Sequence, residues 1–165
     1  MLSFGELWKN HPTISEDERF PCKRPNGIPN FSNQCAIRLG TCLQRSRLLS
    51  GYTGVQCWYG HKGKGHTLRA RELAKWMKRK ASRFGKCKIY TDVKWQDFEG
   101  KHGFIFCENF WGPNNTGDHI DLWDGTGQFM RDSDFFWEGP AMASGALDYI
   151  DRSEKVWFWA VPVNS

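Results

Sequence analysis

Apolar positions recur at helical spacing in two long windows of this chain, and as short runs or alternations elsewhere. Phe4, Leu7 and Trp8 fall on one side of a short amphipathic helix within residues 1–20, which a polar stretch follows. Pro, Gly and Asn crowd residues 21–32 and make a loop that delivers the chain to Ser32-Asn33, both good helix caps. From Asn33 to about Leu49 the positions Cys35, Ala36, Leu39, Cys42 and Leu43 keep a helical period, which predicts a helix with Cys35 in its first turn. Residues 51–65 are rich in glycine and aromatics and read as loop with a short strand. Thr67 is placed to cap a second helix running to about Phe84, with Leu68, Leu73, Trp76 and Met77 as its buried stripe and Gly85 as its end. Short strands are predicted at 87–93, 103–107, 119–123, 128–131 and 156–161, and Asp124-Gly125 marks a tight turn between the third and fourth. Helices ahead of a mostly antiparallel sheet make an α+β layout.

At 165 residues the chain fits one domain, residues 1–165, able to bury roughly two-thirds of its unfolded surface. A hydrophobic share of 39% with nine tryptophans argues for a packed core rather than disorder. The charge of +5 comes from 23 Lys and Arg against 18 Asp and Glu, and gathers at Arg69–Lys80 and at Lys101-His102. Such a surface suits an anionic polymer such as cell-wall glycan or nucleic acid, and it equally suits a solvated helix face. No nucleic-acid-binding module signature is present, so no nucleic acid partner is expected. The first residues carry neither a basic segment nor a continuous apolar run, so no secretory signal is read. No apolar run approaches the roughly 20 residues a membrane span needs, so no membrane insertion is expected. The expectation is a soluble protein made in the cytosol that leaves the cell, if it leaves, by another route.

Two segments bring chemistry into this picture. Asn33-Gln34-Cys35-Ala36-Ile37-Arg38-Leu39 sets a cysteine at the opening of a helix, and Gly117-Asp118-His119-Ile120-Asp121-Leu122-Trp123 sets a histidine at the opening of a strand. A thiolate at a helix N-terminus is favoured by exposed N–H groups and the helix dipole, and a neighbouring imidazole completes its activation. Alternation along the strand sends His119, Asp121 and Trp123 to one face and Ile120 and Leu122 to the other. An imidazole in this role needs an acceptor for its second nitrogen; Asp132 is the nearest acidic candidate, with Asp134 and Asp124 behind it. His102 is the competing imidazole and ranks below His119, because it lies in a turn. Asn33, Trp111 and Trp123 stand as candidate substrate-binding residues around the pair.

Other polar motifs carry less. Gly60-His61-Lys62-Gly63-Lys64-Gly65-His66 lacks the spacing of a phosphate-binding P-loop and reads as a mobile surface loop. Cys57, His61 and His66, joined by Cys87 or Cys107, could form a zinc site in principle, but neither a CxxC nor an HxxxH spacing appears. No metal or cofactor is therefore expected. Six cysteines exceed the usual complement of a reduced cytosolic enzyme, and one or two disulfides would suit an oxidising compartment.

The segments around Cys35 and His119, together with Phe98-Glu99-Gly100-Lys101-His102-Gly103-Phe104-Ile105 and Trp111-Gly112, resemble the type VI secretion amidase effectors of family four. That family sits within the NlpC/P60-like, papain-like cysteine peptidases, and the likeness covers most of the chain after residue 30. The resemblance implies a toxin that a secretion apparatus injects into a rival bacterium's periplasm, where it cleaves peptidoglycan stem peptides between D-glutamate and meso-diaminopimelate. It implies a cognate periplasmic immunity protein that plugs the groove. It also implies Cys35 as nucleophile, His119 as base and an aspartate soon after, best matched by Asp132. Two other readings use the same residues differently: a Cys-His acyltransferase or protein-directed peptidase, and a non-enzymatic wall- or polyanion-binding module in which Cys35 is structural.

Overall fold

The computed structural model describes residues 2–16, 18, 20–31, 34–110, 117–125 and 149–164. Two short helices open the chain, α1 (Phe4–Asn10) and α2 (Pro12–Glu16), followed by α3 (Cys35–Arg45), α4 (Ala70–Arg79) and α5 (Ala81–Phe84). Strand β1 (Lys88–Tyr90), a 3-10 turn at Trp95–Phe98, and strands β2 (Gly103–Glu108), β3 (His119–Trp123) and β4 (Lys155–Ala160) complete the described elements. Among the described residues the four strands form one antiparallel sheet in the order β1-β4-β2-β3. This is the expected α+β class.

Both faces of the sheet are buried along β2 and β3, which is why β2 reads as the continuous apolar run Phe104-Ile105-Phe106-Cys107. Phe104, Phe106, Ile120, Leu122, Trp157 and Trp159 face the helices and pack with Leu39, Leu43, Leu73 and Met77. Ile105, Cys107, Trp123, Val156 and Phe158 turn the other way and pack with Phe98, Phe110, Tyr149 and Ile150. The split of Ile120 and Leu122 from Trp123 follows from the two-residue strand period. Among the described residues no helix is long and apolar enough to cross a membrane.

Four local expectations are corrected. The helix predicted from Thr67 breaks at Lys80 into α4 and α5, and Gly85 closes it at φ 87°. Thr67 does not cap it: its hydroxyl donates to Ala36 O at 2.6 Å, so the residue ties its loop to α3. The glycine-rich loop is seated, not loose, at its end: Gly65, His66 and Thr67 are buried. Gly40 of α3 permits that seat, because a Cβ there would meet Gly65 O at 2.2 Å and Thr67 Oγ1 at 2.3 Å. The first strand covers only Lys88–Tyr90, and the predicted strand at 128–131 lies outside the described residues.

Candidate active site

Cys35 is the first residue of α3, with Gln34 as its N-cap. The expected cap at Ser32-Asn33 lies outside the described residues. The Gln34 side chain makes no cap bond. It reaches back into the preceding loop, accepting from Cys22 N at 2.9 Å and donating to Cys22 O at 2.7 Å and to Phe31 O at 3.0 Å. The helix mouth is therefore fixed by that loop, and Cys35 is held there at 3% exposure.

The base candidate sits at the matching end of the sheet. His119 opens β3, pairs in register with Cys107 of β2 and is almost fully buried. Its ring stacks on Tyr149, with centroids 4.5 Å apart and planes 2° from parallel. Helix α3 packs on β3, and Cys35 lies close enough to Cys107 for its charge to act on that thiol. Burial, with Cys35 and Asp118 adding to it, pushes the Cys107 thiol up to about 12, so Cys107 stays a neutral thiol beside the pair. The fold thus brings a helix-N-terminal thiol to the strand end that carries the imidazole.

His102 is placed elsewhere. It precedes β2, whose Gly103 pairs with Trp123, so it lies about 17 Å along the strand from the His119 end. Its ring packs edge-on against Phe4 with centroids 5.1 Å apart. Trp123 is also corrected: it is fully buried, and its indole N–H donates to Phe98 O at 2.8 Å, so it fills the core and lines no groove. Asn33, Trp111, Asp132 and Asp134 lie outside the described residues. Asp124 follows the far end of β3, about 16 Å by strand rise from His119.

Two polar groups around the histidine carry no sequence signal, because their partners are distant in the chain. Asp118 accepts a forked pair of bonds from Arg71 of α4, both at 3.0 Å, and a third from Asn109 N at 3.0 Å. This clamps the entry to β3 onto α4. Asp121 Oδ1 accepts from His11 Nε2 at 3.0 Å and from its neighbour Leu122 N at 2.8 Å, deep in the core. Arg71→Lys keeps the charge and loses the fork. Discounted for an Arg71 side chain that is 39% exposed, the loss is expected to be about 1 kcal/mol, read as a Tm drop of about 2–4 °C. An unchanged Tm would mean that the clamp holds nothing.

No disulfide joins the six cysteines, all of them among the described residues. One group among the described residues could hold a metal ion: Cys22, Cys57, His61 and His66. The fourth member is thus Cys22, not Cys87 or Cys107.

A family model described as type VI secretion system (T6SS), amidase effector protein 4, matches residues 31–159. No curated protein sequence matches the chain. Among solved structures, the effector of the Tae4/Tai4 effector–immunity system from Salmonella typhimurium superposes with a TM-score of 0.67 at 20% identity, over 98% of this chain and 99% of that one. The type VI effector Tae4 from Enterobacter cloacae gives 0.59 at 17% identity, over 98% and 97%. At such identities these structures speak for the fold.

Proposed function

This chain belongs to the type VI secretion system amidase effector 4 family, and from that premise we propose that it is a cysteine-dependent peptidoglycan amidase used against rival bacteria. The observation that carries the chemistry is that Cys35 opens α3 and that this helix packs on β3, the strand that His119 opens. The Cys35 thiolate attacks the carbonyl carbon of a stem-peptide amide, with His119 holding the thiol proton. The tetrahedral oxyanion forms at the positive end of α3, whose first-turn N–H groups have no intrahelical partner. His119 then passes its proton to the departing amine, leaving a thioester on Cys35. Water, deprotonated by His119, attacks that thioester and releases a carboxylate and the free thiol. Asp132, which follows His119 by thirteen residues, is the proposed acceptor for the second imidazole nitrogen. Asn33 and Trp111 are the proposed substrate contacts.

The proposed scissile bond joins D-glutamate to meso-diaminopimelate. The protein is made in the producing cell's cytoplasm, exported by the type VI apparatus, and acts in the periplasm of the target. A cognate immunity protein covering the active-site groove is the proposed partner; the Salmonella and Enterobacter relatives were each solved in effector–immunity complexes with Tai4. The test is digestion of purified sacculi followed by mass spectrometry of the released fragments. Fragments with a free D-glutamate carboxylate and a free diaminopimelate amine are expected. Cleavage at another bond would overturn the bond assignment, and the absence of any cleavage would overturn the amidase itself.

A further inference from the structure

We propose that Cys22, Cys57, His61 and His66 bind one zinc ion, which anchors the loop ahead of α3. Cys22 Sγ and Cys57 Sγ lie 3.3 Å apart. His61 Nδ1 is 3.3 Å from Cys22 Sγ, 3.5 Å from Cys57 Sγ and 3.0 Å from His66 Nδ1. All four atoms fall within 4.8 Å of one another. A tetrahedral zinc ion, with Zn–S about 2.3 Å and Zn–N about 2.0–2.1 Å, holds its ligand atoms roughly 3.3–3.8 Å apart. Four of the six donor–donor distances thus lie within about half an ångström of what zinc needs, and the other two are at most 4.8 Å.

The two sulfurs pack with Ile37, Phe31 and Leu68 on one side and meet polar donors on the other. The Asn30 side-chain amide donates to Cys22 Sγ and Tyr59 N donates to Cys57 Sγ, each at 3.4 Å. N–H donors aimed at both sulfurs are the outer contacts that stabilise thiolate ligands. Cys22, Cys57 and His66 are buried and His61 is partly so. Two sulfurs and two imidazoles form a soft set that selects zinc over magnesium or calcium. Four protein ligands close the site, so its role is structural. On binding, the two thiols give their protons to water; two thiolates and two neutral imidazoles leave the centre without net charge. A Cys22–Cys57 disulfide is the rival outcome. It would draw the sulfurs to about 2.05 Å and leave the two imidazoles with no common ligand.

The position gives the centre a task. Three ligands come from one loop, in the order Cys-x3-His-x4-His, and Cys22 comes from the loop before α3. Cys22 is doubly bonded to Gln34, the residue before Cys35. The other loop continues into Gly65 and Thr67, which rest on Gly40 and Ala36 of the same helix. The ion therefore ties together two loops that grip the helix presenting the Cys35 thiol. Nothing in this inference depends on the hydrolytic reading.

Elemental analysis of the full chain, purified without chelator from zinc-supplemented medium, should give about one zinc per chain. Stripping it should lower Tm by about 10 °C, and Zn2+ alone should restore it. Co2+ in its place should show thiolate-to-metal charge transfer and the visible bands of tetrahedral coordination. Cys57→Ser should lose the zinc while Cys87→Ser keeps it. If Cys57→Ser does not fold, the cobalt spectrum of the unaltered chain still decides. Zinc far below one per chain with a Tm indifferent to Zn2+, or a Cys22–Cys57 disulfide found by peptide mapping, would overturn the site.

Discussion

Cys35→Ala is expected to lower sacculus hydrolysis by about 10^4-fold or more, because the covalent route disappears and only binding and oxyanion stabilisation remain. The fold should survive. Cys35 is 3% exposed and belongs to the core against α4 and β3, so removing one sulfur costs about 1 kcal/mol and lowers Tm by about 2–4 °C. Cys35→Ser, which fills the same space, should be equally inactive and still nearer in stability. A folded alanine variant that keeps a tenth of the rate would end the cysteine mechanism. The same assay ranks the acids. Asp132→Ala should lose much of the activity but less than Cys35→Ala, since a thiolate–imidazolium pair leans less on its third member than a serine triad does. Asp124→Ala should do little, because Asp124 lies at the far end of β3 from His119. A larger loss at Asp124 or Asp134 would reassign the third residue.

What the sequence revealed of this site follows the reach of its signals. Cys35 at a helix start and His119 at a strand start were legible because each rests on local periodicity, and both elements begin at those residues. The family was legible from the same segments with Phe98–Ile105. The cap of the second helix was not: Thr67 looked like an N-cap, but its hydroxyl bonds Ala36 O across a Gly40 that admits the loop, a tertiary contact with no local trace. Trp123 looked like a groove residue because it shares a strand face with His119. It is buried because that face, too, is covered by Phe98, Phe110 and Tyr149. The proposed zinc cluster fails the spacing test for a simple reason. Its fourth ligand, Cys22, comes from 35 residues upstream of Cys57, and no short motif spans such a gap.

A stability effect as large as that of zinc removal is expected at the His11–Asp121 pair, which the hydrophobic pattern gave no reason to suspect. His11 Nδ1 accepts from Thr13 N at 3.3 Å, so the ring carries its proton on Nε2 and donates it to Asp121 Oδ1. Both residues are about as buried as Leu7 and Leu39, with His11 at 0% and Asp121 at 1% exposure. His11→Ala removes a charge-assisted bond and leaves a desolvated carboxylate short of a donor, at a cost of about 2–4 kcal/mol. For a chain of this size that is a Tm drop of about 10 °C. Asp121→Asn should cost much less, because an amide oxygen still accepts from His11 and from Leu122 N. The double variant should therefore be more stable than His11→Ala alone, the mark of a buried carboxylate that has lost a donor rather than of a cavity. The consequence for chemistry follows from position. Asp121 lies two residues past His119 on β3, and the bond to His11 ties that strand to the segment between α1 and α2. Activity of His11→Ala should accordingly fall at temperatures where the wild-type chain is still fully active, and return on cooling. A His11→Ala chain with a Tm within about 2 °C of wild type would show that the pair anchors nothing, and would leave the Arg71–Asp118 clamp as the support for the His119 end of β3.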